Sequence, residues 1–201
     1  VSETGKRATR PGRPRSEQSR QAIHAAVLGI VEASGYGALT MDGIAAEAGV
    51  GKQTLYRWWP SRGAMTLEVL RALATEKIPN PDTGSLRRDL VQFLSATFEL
   101  TGSQPAVLPI LRGLMAEAQL DPPFLQQLQD ELIEPRRAAL RELFHRAKSR
   151  GELRPRCDVE LCIDLAFGVL WYRLLTSRTP LTSALAQKLA EVISREALRA
   201  V

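Results

Sequence analysis

Between Gly49 and Arg62 the chain reads GVGKQTLYRWWPSR, setting a Gly-Lys-x-Thr string beside two arginines, a tyrosine and two tryptophans. Two chemistries compete for this spacing. A glycine-rich loop with a lysine can cradle nucleotide phosphates. A tight turn opening a short helix can offer the same polar groups to the edges of base pairs. The phosphate loop requires Gly-x-x-x-x-Gly-Lys-Ser/Thr after a buried strand. Here Ala46 occupies the first glycine position, and Gln53 follows Lys52 where a magnesium-holding hydroxyl belongs. The segment before it has the pattern of an amphipathic helix. The nucleotide loop therefore fails on three requirements.

A helix-turn-helix meets its own. Two helices join through a turn of three or four residues that often contains glycine, and Gly49, Val50 and Gly51 supply one. In the second helix Leu55 and Trp59 stand four apart and face inward, while Lys52, Gln53, Tyr56 and Arg57 share the other face. Gln pairs with adenine, Lys or Arg with guanine, and Tyr donates to phosphate. Charge agrees with this placement. Residues 1–63 hold nine Lys/Arg against five Asp/Glu, so an excess of +4 out of the chain's +5 sits in the first third. Such a distribution suits a polyanion-binding module on a near-neutral body.

The elements that must position these groups are helical throughout. Ile23, Ala26, Val27, Ile30 and Val31 recur at helical spacing and predict a helix over about 16–34. Thr40 is a suitable N-cap for a second helix, the third covers about 51–58, and Ser61 caps a fourth running to about Glu76. EKIPNPDTGS (76–85) reads as a linker. Beyond it, helices are expected over about 85–102, 106–118 and 122–150, the last kinked or split at Pro135. Asp158 caps an apolar helix to about Thr176, and Thr182 a final one to about 200. The expected class is all-α with about nine helices. It divides into a basic arm (1–15), a three-helix DNA-binding domain (16–62) and a helical body (63–201), with helix 63–76 and linker 77–84 connecting the two.

Other chemistries find little support. The two cysteines, Cys157 and Cys162, read as buried or half-buried thiols pointing in different directions on one helix. No metal-ligand spacing appears, and no cofactor is expected. His24 and His145 fall in unrelated helices and read as surface residues, so enzymatic chemistry has no constellation to use. No apolar run approaches the roughly 18 residues that span a bilayer, and no apolar stretch follows the basic start as in a signal peptide. A cytoplasmic location is the expectation.

LTMDGIAAEAGVGKQTLYRWWPSRGAM resembles the DNA-binding segment of TetR-family transcriptional regulators over about residues 16–70. The shared features are Thr40, Ile44-Ala45, Ala48-Gly49-Val50, Thr54-Leu55-Tyr56, an aromatic at Trp59, and Pro60-Ser61 ahead of a basic residue. RGELRP (150–155) followed by an apolar helix with YRLL looks like one subgroup of that family's second domain. The resemblance implies that Lys52, Gln53 and Arg57 face bases, with Gly51 and Thr54 close to the DNA backbone. Thr40, Tyr56 and Trp58 would meet phosphate, Trp58 standing where the family commonly has His. Arg62, a further DNA-contact candidate, takes the place of a common Lys at the start of the fourth helix. RPGRPR supplies Arg10, Arg13 and Arg15, which an extended arm could lay in a narrow A·T minor groove.

For the body, the resemblance implies a homodimer, and one helix-turn-helix alone reads too few bases for useful specificity. Leu161, Leu165, Val169 and Tyr172 on one helix and Leu185, Leu189 and Val192 on the next are the candidate interface. Gly168 amid the first stripe suggests close backbone approach. Phe98, Leu111, Met115, Phe124, Phe167 and Trp171 are candidate ligand-lining residues, and an apolar or aromatic small molecule is the expected effector. The implied activity is a sequence-specific DNA-binding regulator, a homodimeric repressor released from a pseudo-palindromic operator by that ligand. Control by a protein partner without a small-molecule effector stays open, as does, more remotely, an α-helical enzyme.

Overall fold

The computed structural model describes residues 13–176 and 180–199. Its α-helical segments are α1 (Arg13–Ser34), α2 (Met41–Glu47), α3 (Lys52–Trp58), α4 (Arg62–Lys77), α5 (Leu86–Ser103), α6 (Val107–Ala118), α7 (Pro122–Leu128), α8 (Glu134–Ser149), α9 (Val159–Thr176) and α10 (Ser183–Ala197). A π-helical turn over Gln129–Ile133 joins α7 to α8, so the described residues form nine continuous helices. They contain no strand, only an isolated antiparallel bridge between Leu153 and Leu198. The fold is all-α.

Side-chain caps start several of these helices. Thr40, Ser61, Asp158 and Thr182 each accept a hydrogen bond from the backbone N–H three residues on, at 3.0, 3.1, 3.0 and 3.2 Å. Each satisfies a donor that the first turn would otherwise leave orphaned. The first turn of α5 uses a distant group instead: Leu86 N–H donates to Glu152 Oε2 at 2.9 Å. The RGELRP segment therefore caps a helix that lies far from it in sequence.

Three elements depart from the sequence expectation for identifiable reasons. Helix α1 starts at Arg13 rather than near residue 16. Pro14 falls in its first turn, where a missing N–H removes nothing the helix uses. Pro135 neither splits nor ends its helix. It has no N–H for the carbonyl one turn back, and the wider π turn just before it absorbs the defect. Cys157 precedes α9 rather than lying on it, and its thiol meets that of Cys162. Burial pushes both thiols up, Cys162 to about 12, and no disulfide joins them.

Helix α4 is the centre of the molecule. Met65, Leu67, Val69 and Leu70 are almost fully buried, and they cover more than one face. A helix apolar all round needs neighbours all round. Helices α1, α5 and α6 and the π turn before α8 pack against it. The linker after it is pinned down. Arg146 donates to Asn80 Oδ1 and Pro81 O at 3.0 and 2.8 Å. Thr83 donates to the fully buried Asp89 from both its N–H and its hydroxyl.

Candidate nucleic-acid interface and internal cavity

The turn between α2 and α3 is built at Gly49, whose φ of +64° is costly for a residue with a Cβ. Val50 follows it, half-buried against the core. In α3, Leu55 is fully buried and Trp59, just past the helix end, is 3% exposed. The indole N–H of Trp59 donates to Glu68 Oε2 at 2.9 Å. Glu68 also holds Arg20 at 3.1 Å and His24 at 3.2 Å, so His24 is half-buried in a polar cluster rather than a surface residue.

With Leu55 and Trp59 anchored, the opposite face of α3 presents Lys52, Gln53, Tyr56 and Arg57 to solvent. Tyr56 is 55% exposed, a state that an unliganded core position would not give so large an aromatic. Gly51 is exposed at the N-cap and Thr54 half-buried beside it. Lys52 Nζ lies 2.6 Å from Asp42 Oδ2, both well exposed. A surface pair of this kind stabilises little, so phosphate or base atoms can compete for the lysine. Trp58 is half-buried, edge-on to Trp59 at 5.5 Å between ring centroids, with the Arg57 guanidinium 5.9 Å from its own ring. Thr40 is exposed, its hydroxyl already accepting from Gly43 N–H.

Arg62 is placed differently from the expectation. Its Nε and Nη2 donate to Glu117 Oε1 at 2.8 and 2.5 Å, and its Nη1 donates to the Leu39 carbonyl at 3.2 Å. The guanidinium also lies 5.2 Å from the Tyr36 ring centroid. From the first turn of α4 the side chain reaches α6, so its contacts are internal. Arg10 lies outside the described residues. Arg13 and Arg15 belong to the first turn of α1 rather than to an extended arm, and their side chains also lie outside the described residues.

Arg62 marks a junction between the α1–α3 module and the body. Gly113 of α6 packs so closely on Tyr36 that a Cβ there would sit 2.1 Å from the ring. Burial pushes the Tyr36 phenol up to about 12, with Thr66 and Glu117 beside it, and its hydroxyl is shielded from solvent without a well-formed hydrogen bond. Sequence periodicity could not find this contact, because Tyr36 and Glu117 are distant in the chain.

Behind the junction, α4, α5, α6, the π turn, α8 and α9 enclose a cavity of about 390 Å³. Leu111, Phe167 and Trp171 line it, as do Val107, Leu132 and Ile133. The other three ligand candidates do not. Phe98 is fully buried in the core. Phe124 lies against Gly63. Met115 is half-buried one turn beyond Leu111 on α6, where its sulfur accepts from Gln119 at 3.5 Å. Their helical spacing matched an inward face, but all three pack in or against the hydrophobic core away from the cavity lining. The lining also contains Arg136, Arg137 and Asp164, which apolar patterning did not single out.

Comparison with known proteins agrees with both halves of the architecture. The family model described as "Bacterial regulatory proteins, tetR family" matches residues 25–69. The one described as "Tetracyclin repressor-like, C-terminal domain" matches residues 80–193. The chain belongs to the TetR family of transcriptional regulators.

Among TetR-family relatives, the HTH-type regulator YdeS of Bacillus subtilis (strain 168) is 34% identical over 164 residues, 82% of each chain. The crystal structure of the TetR-family regulator SCO0332 superposes with a TM-score of 0.75 at 30% identity, covering 89% of this chain and 98% of that one. The regulator FadR from Bacillus subtilis, in complex with stearoyl-CoA, gives 0.70 at 18% identity, covering 87% and 97%. At that identity the likeness concerns the fold alone. As in its family, this chain is a DNA-binding regulator with an N-terminal helix-turn-helix. No helix of the described residues is long and apolar enough to cross a membrane.

The candidate dimer residues of this TetR-family chain divide between surface and core. Leu161, Leu165 and Tyr172 are exposed along α9, with Val169 half-buried in the same stripe. Val192 of α10 is exposed and Leu185 half-buried. Leu189 is 7% exposed and packed in the core. Helix α10 turns its apolar face onto α5, which takes Leu189 together with Ala186, Ala190 and Ile193.

Proposed function

We propose that the protein is a homodimeric repressor whose grip on a pseudo-palindromic operator is released by a small ligand with a largely apolar body. The observation that carries this reading is the double duty of α6. Its first half lines the cavity through Val107 and Leu111. Its second half holds the DNA-binding module through Gly113 against Tyr36 and Glu117 paired to Arg62. A ligand that shifts α6 must therefore move or strain the junction. Coupling of this kind is worth about 1–3 kcal/mol, a 5- to 150-fold change in operator affinity. FadR is in complex with stearoyl-CoA, and a ligand with an apolar body is the reading for this cavity also. The exposed α9 stripe supports the dimer, since leaving Leu161, Leu165 and Tyr172 in water forgoes burial that a second copy would supply.

The test is fluorescence anisotropy on a labelled duplex from the gene's own upstream region, at physiological salt. Two chains should bind each duplex, and compounds with apolar bodies should weaken binding. Glu117→Gln should keep operator binding and blunt the ligand response. Binding one chain at a time, or an operator affinity that no such compound alters, would overturn the reading.

A further inference from the structure

We propose that the cavity selects an organic anion: an apolar body carrying one carboxylate, which pairs with Arg136. This rests on the cavity's being the effector site, and it goes beyond an apolar or aromatic ligand by assigning the charge. Arg136 lines the cavity. Its Nε and Nη2 are shielded from solvent and have no hydrogen-bond partner. The guanidinium stacks over the ring of Phe93, 5.0 Å from its centroid. Stacking occupies a face of the planar group and leaves its N–H edge unsatisfied. Burial holds its pKa below the ordinary arginine value, with no neighbouring charge acting on it.

The other polar groups of the cavity are already committed. Arg137 donates to Asp164 at 2.6 Å and to Glu160 at 2.8 Å, so its guanidinium is already committed to two carboxylates. The hydroxyls of Thr97 and Thr101 donate to carbonyls one turn back in α5, both at 2.8 Å. They keep lone pairs but have no proton for a ligand. Arg136 is thus the unsatisfied cationic donor in a lining otherwise dominated by Leu, Ile, Val, Phe and Trp. A buried guanidinium without a counter-charge destabilises a fold. A carboxylate on the ligand would relieve that cost through a forked, charge-assisted pair, whereas a hydroxyl or an ester would not. Asp164 and Gly168 are the exposed residues of the lining and mark the mouth, so the apolar body extends between the helices while its carboxylate meets Arg136.

Isothermal titration calorimetry with matched probes decides the matter: decanoate against decan-1-ol, and 4-phenylbutanoate against 4-phenylbutan-1-ol. At least one acid should bind the wild type about ten-fold or more tighter than its alcohol, the scale of a hydrogen bond to a charged group. Arg136→Met should bring the pair within about two-fold. Arg136→Lys, which keeps the charge but not the fork, should fall between. Arg136→Met should also melt about 2–4 °C higher without ligand, because it removes an unsatisfied buried charge, and this shows the variant is folded. An alcohol that binds as tightly as its acid, or a preference that survives Arg136→Met, overturns the proposal and leaves the cavity reading standing. Failure of all four probes to bind overturns both.

Discussion

The outer face of α3 and the wall of the cavity solve opposite problems with the same residue types. On α3 the charges are outside. Lys52 and Arg57 stand in water, and the apolar side chains that fix them, Leu55 and Trp59, are behind in a closed core. In the cavity the apolar side chains face an open interior, and the Nε and Nη2 of Arg136 are shielded from water. A flexible, hydrated cation suits a polyanion that arrives with its own counterions. A desolvated cation held over an aromatic ring suits one compact anion. The strength of a cationic site here depends less on how many charges it has than on where water can reach them.

The largest effect should come from removing what fixes the outer face. Leu55 is fully buried, and Leu55→Ala should cost about 2–5 kcal/mol of stability through lost burial and the cavity left behind. Thermal melting would record it, with operator binding falling because α3 loses its anchor. If α3 were held mainly by its polar contacts, the loss would stay under about 1 kcal/mol, and the contrast between surface chemistry and buried support would fail.

Substitutions on the exposed side should do the reverse. Gln53→Ala and Arg57→Ala should leave the melting temperature unchanged, since both residues are exposed. Each should weaken operator binding by about 1–3 kcal/mol if it reads a base. A loss equal on specific and random duplexes, with a reduced salt slope, would instead place that side chain on phosphate. Either substitution lowering the melting temperature would contradict the division of labour on α3.

Much of this was legible from the sequence because it is local. Thr40, Ser61, Asp158 and Thr182 announce helix starts through a hydrogen bond spanning three residues. The turn at Gly49 and the inward pair Leu55–Trp59 follow from spacing within one short segment. What stayed hidden is pairwise across the chain. Arg62 looks like a DNA contact until Glu117 is beside it. Leu189 continues an apolar stripe that reads equally well as interface or core, until α5 covers it. Arg136 looks like one more surface arginine of a basic helix. Only the Phe93 ring beneath it and the lack of a hydrogen-bond partner for its Nε and Nη2 among the described residues show that those donors are shielded and unsatisfied. Local pattern fixes where helices begin and which face is oily, but not what that face will meet.

The smallest expected effect lies at the junction between the two regions, and it is read against pH. The Tyr36 ring packs on Gly113 with its hydroxyl buried beside Thr66 and Glu117. Burial raises its pKa from 10.0 to about 12, because a phenolate would be poorly solvated there. Between those values the folded chain keeps a proton that the unfolded chain has lost. The contribution is therefore intact below about pH 10 and is lost as pH rises toward 12. Tyr36→Phe keeps the ring against Gly113 and removes the ionisable group. At neutral pH it should change stability by no more than about 1 kcal/mol, since no well-formed hydrogen bond is removed. Urea melts from pH 9 to 11.5 should show the wild type losing stability faster than the variant, the two curves diverging above about pH 10. Parallel curves would mean that water reaches the Tyr36 hydroxyl. The junction would then be as wet as the face of α3, and α6 would lack the tight seat through which a ligand could act on DNA binding.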